Sequence, residues 1–190
     1  IFDNFNGAAI AHVEGKYDRL SLFIDAMYIS LENEVTIQGP VEQRGGDVKL
    51  DQGIFELGAA FAVLERDAIG ESQAHITLEP IFGARMYYLD LEVDPDNFDT
   101  RSGDEFWGDG FIGLRGRLAF NETLALVARG DIGAGGSEFA WNTLGGLEVS
   151  IARWFSLTAG YKALGVDYSD DGVTYDMIQH GPFFAMTFRF

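Results

Sequence analysis

The chain is predicted to be all-β, an antiparallel up-and-down transmembrane β-barrel, on three observations. In its last nine residues Pro182, Phe184, Met186, Phe188 and Phe190 share one face of a strand, and Phe183, Ala185, Thr187 and Arg189 share the other. In nearly every similar segment the charged side chains lie on one face beside Gly and Ala, opposite an apolar stripe. Connectors alternate between tight and long, as in membrane barrels with short turns at one end and longer loops at the other.

Composition permits this and removes alternatives. With 190 residues, 47% apolar and 14% aromatic, the chain is neither disordered nor short of a core, and residues 1–190 are expected to form a single domain. Zero cysteines exclude disulfides, thiolate metal sites and cysteine nucleophiles. The longest stretch free of Asp, Glu, Lys and Arg, Met177 to Phe188, contains His180 and Pro182. It is shorter than the roughly 18 to 20 apolar residues of a membrane helix. A closed barrel is the other structure that satisfies its backbone in lipid. No basic and apolar leader precedes Ile1, so a secretion signal is expected to have been removed or not included.

Nine alternating segments can be marked, in order 5–14, 20–32, 50–64, 76–92, 106–120, 123–133, 139–152, 155–168 and 173–190. Residues 15–19, 121–122 and 153–154 make tight connectors, 33–49 and 93–105 long ones, and 65–75 is intermediate. Short turns on the periplasmic side and long loops outside place Phe190 at the periplasmic end and Ile1 at the outer end. Bacterial barrels usually have an even strand number and return both ends to the periplasm. The expectation is therefore ten strands, nine of them visible here and the first preceding Ile1; eight strands is the alternative if residues before about 20 form no complete strand.

A soluble barrel points its apolar face inward and scatters charge outward, which the shared charged face argues against. Aromatics near strand ends suggest two interfacial girdles, Tyr17, Phe120, Trp154, Phe155 and Phe188 on one side and Tyr28, Tyr88, Trp107, Trp141 and Tyr168 on the other.

Taking the charged face as the lumen places Glu14, Asp25, Glu56, Glu79, Asp131 and Glu148 inside with Arg85, Arg115, Arg117, Arg129, Lys162 and Arg189. Six acids against six bases favour a closed salt-bridge network over an ion-selective pore, whose lining would carry an excess of one sign. A narrow passive channel for ions or small solutes is the second reading.

The net charge of −17 then belongs to loops, turns and strand ends. The periplasmic connectors carry Asp18, Glu65, Asp67, Glu71 and Glu122 against Lys16, Arg19, Arg66 and Arg153, a net of −1; the outer remainder carries −16. Such a rim attracts divalent cations and basic partners within a Debye length of about 8 Å. Asp94, Asp96 and Asp99, and Asp167, Asp170 and Asp171, offer hard oxygen ligands suited to loosely bound Ca²⁺ or Mg²⁺, without the spacing of an EF-hand. A solvated acidic surface or contact with cation-bridged lipopolysaccharide is favoured over a dedicated metal site, a protein partner at the outer loops is allowed, and nucleic acid is disfavoured because phosphates need a basic footprint.

An enzyme is not expected. His12 stands beside Glu14, His75 lies in a periplasmic connector, and His180 is in phase with Pro182 and Phe184 within reach of Tyr168 or Asp176. None has an obvious serine nucleophile at its height and face. Gly108-Asp109-Gly110 and residues 130–136 suggest phosphate loops but lead into no helix; glycine in strands marks bends and room for large neighbours.

The closing strand ending in Phe190, residues 83–91, residues 129–133 with 141–146, residues 160–162 and residues 180–190 resemble a group of small Gram-negative outer-membrane β-barrel proteins, of OmpA/OmpX-like architecture, over most of the chain. The resemblance implies a bacterial outer-membrane location, a further N-terminal strand after the signal peptide, and contact with outer-membrane lipid. It implies no catalytic residue and no cofactor.

Overall fold

The computed structural model describes residues 4–38, 43–67, 74–95, 101–170 and 173–190. Ten strands follow one another: β1 Asn4–Tyr17, β2 Leu20–Gln38, β3 Gln43–Phe61, β4 Leu64–Asp67, β5 His75–Pro95, β6 Arg101–Ala119, β7 Leu124–Gly135, β8 Phe139–Ala152, β9 Phe155–Asp170 and β10 Val173–Arg189. Nine close into a barrel in the order β3-β2-β1-β10-β9-β8-β7-β6-β5 and back to β3. β4 is an extra short strand that pairs with the start of β5 from Leu64↔Leu78 to Asp67↔His75. β1 is a full barrel strand, so the eight-strand alternative does not describe this chain.

Neighbouring barrel strands are antiparallel except at one seam, where β1 and β10 run parallel from Ile10↔Ala185 to Glu14↔Arg189. An odd number of up-and-down strands requires one such pair. The terminal carbonyl of Phe190 accepts from Lys16 N at 3.0 Å, and Phe190 N donates to Glu14 O at 2.9 Å, locking the end of the chain into the seam. Among the described residues the seam ladder stops at Ile10↔Ala185, whereas β10 remains paired with β9 up to Val173↔Asp170.

The expected long connectors are mostly strand. The β2–β3 ladder runs from Leu20↔Phe61 to Gln38↔Gln43, and β5 pairs with β6 as far as Val93↔Arg101. Val35, Thr36 and Ile37 carry the β-branching that suits a pleated backbone. Acidic residues within these hairpins had concealed the continuation. Residues 33–49 and 93–105 are thus largely hairpin arms that prolong the barrel wall.

The faces alternate as the sequence predicts, with large apolar side chains outward. Phe184, Phe82, Ile112, Leu57, Leu147 and Ile132 are exposed, while Arg85, Glu56, Asp131 and Glu148 are buried. In the closing strand Phe184 and Met186 point out, and Phe183, Ala185 and Thr187 point in. Glycine makes room on both surfaces: a Cβ at Gly58 would lie 2.4 Å from the inward Phe23 ring, and one at Gly165 2.2 Å from the indole of Trp141.

Candidate functional site: a layered lumen

The lumen has three layers. At the tight-turn end a cavity of about 890 Å³ opens between Lys16, Glu65, Glu122 and Arg153 and extends inward to Lys162, Met27 and Ile54. Lys16 Nζ donates to Glu65 Oε1 at 2.6 Å, joining β1 to β4 at this mouth. That hydrogen bond and the adjacent positive charge hold the Glu65 carboxyl below the usual carboxylate range.

The second layer is an ion-pair network that crosses the barrel. Arg85 Nε donates to Glu56 Oε1 at 2.7 Å and its Nη2 to Asp131 Oδ1 at 2.6 Å. Arg129 reaches Asp131 at 2.8 Å, Glu56 at 2.7 Å and Asp25 at 3.1 Å. Arg115 grips Glu14 through Nη1 and Nη2 at 2.7 and 3.0 Å and Glu79 through Nε at 2.6 Å. Glu148 is shared by Arg117 and Arg189. The guanidinium groups of Arg115 and Arg129 also lie 5.5 and 5.6 Å from the centre of the Phe23 ring, in cation–π range.

His12, which sequence reading placed beside Glu14 alone, joins two carboxylates: Nδ1 lies 2.5 Å from Asp25 Oδ1 and Nε2 3.1 Å from Glu14 Oε2. Asn142 was not singled out either, and its Nδ2 donates to Asp131 Oδ2 at 2.9 Å. The inward register of both residues was available from strand phase, but their partners lie on strands distant in sequence.

The third layer corrects an expectation. Trp107 and Tyr168, assigned from the sequence to the outer girdle, are each only 5% exposed and belong to the interior. Trp107 stacks on Tyr168 with centroids 4.3 Å apart and on Tyr87 at 5.0 Å. Met27, Ile54, Leu89, Ala140, Leu164 and Val166 complete the cluster. Trp107 Nε1 also donates to Ser137 Oγ at 2.8 Å, so the indole has its partner inside. Both aromatics lie near strand ends, and end position alone does not reveal which face a residue occupies. The other girdle residues keep an outward face: Tyr28 and Tyr88 are exposed at one end and Tyr17, Phe120 and Trp154 at the other, where Trp154 stacks on Phe188.

All twelve sequence-assigned lumen residues line the interior, and all except Lys162 enter the ion-pair network. Of the acidic loop candidates, Asp96, Asp99 and Asp171 lie outside the described residues. Asp94 and Asp170 fall at strand ends, and Asp167 is exposed opposite Asp176. His180 does not approach Tyr168 or Asp176; it is on the outer face, where its Nδ1 bonds the hydroxyl of the exposed Tyr161. His75 lines the open mouth.

Register brings the acidic hairpin arms together in rows. Asp51, Asp90 and Asp104 stand opposite one another across β3, β5 and β6, and Glu34, Asp47 and Asp94 across β2, β3 and β5. Like charges directly opposite destabilise a sheet. No family model, curated protein or solved structure matches the chain.

Proposed function

We propose that this chain is a non-enzymatic outer-membrane β-barrel with a closed lumen, an anchor that presents an acidic outer rim to cations, lipopolysaccharide or a protein partner. The inverted faces carry this reading. A belt including Phe184, Ile112, Phe82 and Leu147 is left on the outside while Arg85, Glu56 and Asp131 are buried inside, the arrangement expected where the surroundings are less polar than the interior. The resemblance of the closing strand to small Gram-negative barrels agrees with it. Closure is supported by the Tyr87–Trp107–Tyr168 stack at the inner end of the cavity; the ion-pair network narrows the lumen below it.

The parallel seam supports a tenth strand in the natural barrel. Above Ala185 one edge of β10 has no strand partner among the described pairings, and an unpaired strand edge in hydrocarbon costs several kcal/mol per group. A strand preceding β1 and joined to it by a hairpin would run antiparallel to both β1 and β10. It would replace the parallel pairing with two antiparallel ladders and make the count even.

The acidic rows favour a diffuse attraction of divalent cations to the rim, which relieves the repulsion between like charges in register; among the described residues no three carboxylates are grouped to hold a metal ion.

The reading is tested by purification and reconstitution. The folded barrel is expected to need detergent or lipid, to fractionate with outer membranes when expressed behind a secretion signal in a Gram-negative host, and to give no unitary conductance in a planar bilayer. A chain that stays monodisperse in buffer alone overturns the membrane assignment; reproducible unitary steps overturn the closed lumen.

A further inference from the structure

Among the described residues, Lys162 is the one lumen cation that the network leaves out. Its side chain lines the cavity, and among the described residues it makes no ion pair and no hydrogen bond. The carboxylates whose charges act on it are already engaged. Glu56 gives one oxygen to Arg85 and the other to Arg129, and Asp25 gives one to His12 and the other to Arg129. An ammonium has three donors to satisfy, and a charge withdrawn from water is costly until it is paired.

The cavity that Lys162 lines is of ligand size. Its volume of about 890 Å³ falls within the roughly 300–1,000 Å³ typical of small-molecule sites. The walls differ in chemistry. Glu14, Asp25, Glu56 and Glu79, all satisfied by arginine, form one side, while Ile10, Leu144 and Phe183 form an apolar side that leads to Lys162. The far end is stopped by the Tyr87–Trp107–Tyr168 stack, so access is through the tight-turn end. There Arg117 and Arg189 share the single carboxylate of Glu148, which makes the approach locally cationic.

We propose that the cavity is a binding site for a small carboxylate with an apolar body, its carboxylate on the Lys162 ammonium and its body against Ile10, Leu144 and Phe183. The site is that of the nine-stranded barrel closed at the β1–β10 seam, where Ile10 and Phe183 lie on adjacent strands; it does not depend on what surrounds the outer face, so it stands or fails separately from the membrane assignment.

Calorimetric titration of the folded nine-stranded barrel, in lipid nanodiscs with empty nanodiscs subtracted or in buffer alone if the barrel is monodisperse there, tests it with hexanoate, hexanol and acetate. Hexanoate is expected to bind saturably, and hexanol and acetate at least about tenfold more weakly. Lys162→Met is expected to lose about tenfold or more in affinity, as for removal of a charge-assisted bond, and Lys162→Arg to retain most of it. Leu144→Trp, which keeps the ammonium and fills the apolar side, should abolish binding and serves in place of Lys162→Met if that variant does not fold. Absence of saturable hexanoate binding, equal binding of acetate, or affinity for the folded Lys162→Met or Leu144→Trp barrel within twofold of the parent overturns the proposal.

Discussion

Arg129 on β7 and Asp25 on β2 meet across the lumen at 3.1 Å although 104 residues separate them in the chain. The same guanidinium also holds Glu56 and Asp131, so a single side chain links three carboxylates from β2, β3 and β7. In a narrow barrel this arrangement ties opposite walls together alongside the buried Phe23 ring.

Removing that link should be costly. Arg129→Met leaves Asp25, Glu56 and Asp131 each short of a partner, and breaking a buried pair costs about 3–5 kcal/mol. Urea unfolding in lipid should register a loss of this size. Arg117→Gln, at a side chain about one-third exposed, should lose no more than about 1 kcal/mol. Equal effects from the two variants would contradict the layered lumen.

The outer face answers to its solvent. Ile112 is 64% exposed on β6, and Ile112→Arg should destabilise the barrel by about 2–4 kcal/mol in a bilayer if the residue lies near the midplane. A protein surrounded by water would tolerate the same change within about 0.5 kcal/mol. Folding yield into liposomes and urea midpoints separate these outcomes.

The acidic rows should make stability depend on divalent cations. Asp90 stands between Asp51 and Asp104. In chelator, Asp90→Asn is expected to stabilise the barrel by about 0.2–1 kcal/mol, the scale of one cross-strand pair. Added Ca²⁺ should raise the melting temperature of the parent more than that of the variant. A parent indifferent to Ca²⁺ would remove the attraction of divalent cations to these rows.

The seam can be probed directly because the chain has no cysteine. Val13 and Phe188 are register partners across β1 and β10, so a chain beginning at Ile1 with Val13→Cys and Phe188→Cys should cross-link on oxidation. Extending that chain with a strand that inserts at the seam should abolish the cross-link, since two strand spacings would then part the residues by about 9–10 Å. Cross-linking that persists in the extended chain would argue against a tenth strand between them.

The closing strand was fully legible in the sequence, because a period of two assigns Phe184 and Met186 to one surface and Ala185 and Thr187 to the other without further information. The same phase put Arg85, Arg129 and Asp131 inside. It failed for Trp107 and Tyr168, which were judged by their place near strand ends rather than by face. The acidic hairpin arms were not legible as strand, because they lack the apolar stripe that marks the wall, and backbone pairing beyond a barrel wall does not require an apolar face.

By itself the sequence determined which side of the sheet each residue occupies, since alternation is a local property of an extended backbone. Only the tertiary structure decided which inward groups meet. Closure of nine strands around β1 and β10, and the register between them, set the relative heights of residues about a hundred positions apart. Those heights give Arg115 to Glu14 and Arg129 to Asp25, bring Trp107 onto Tyr168, and leave Lys162 lining the cavity.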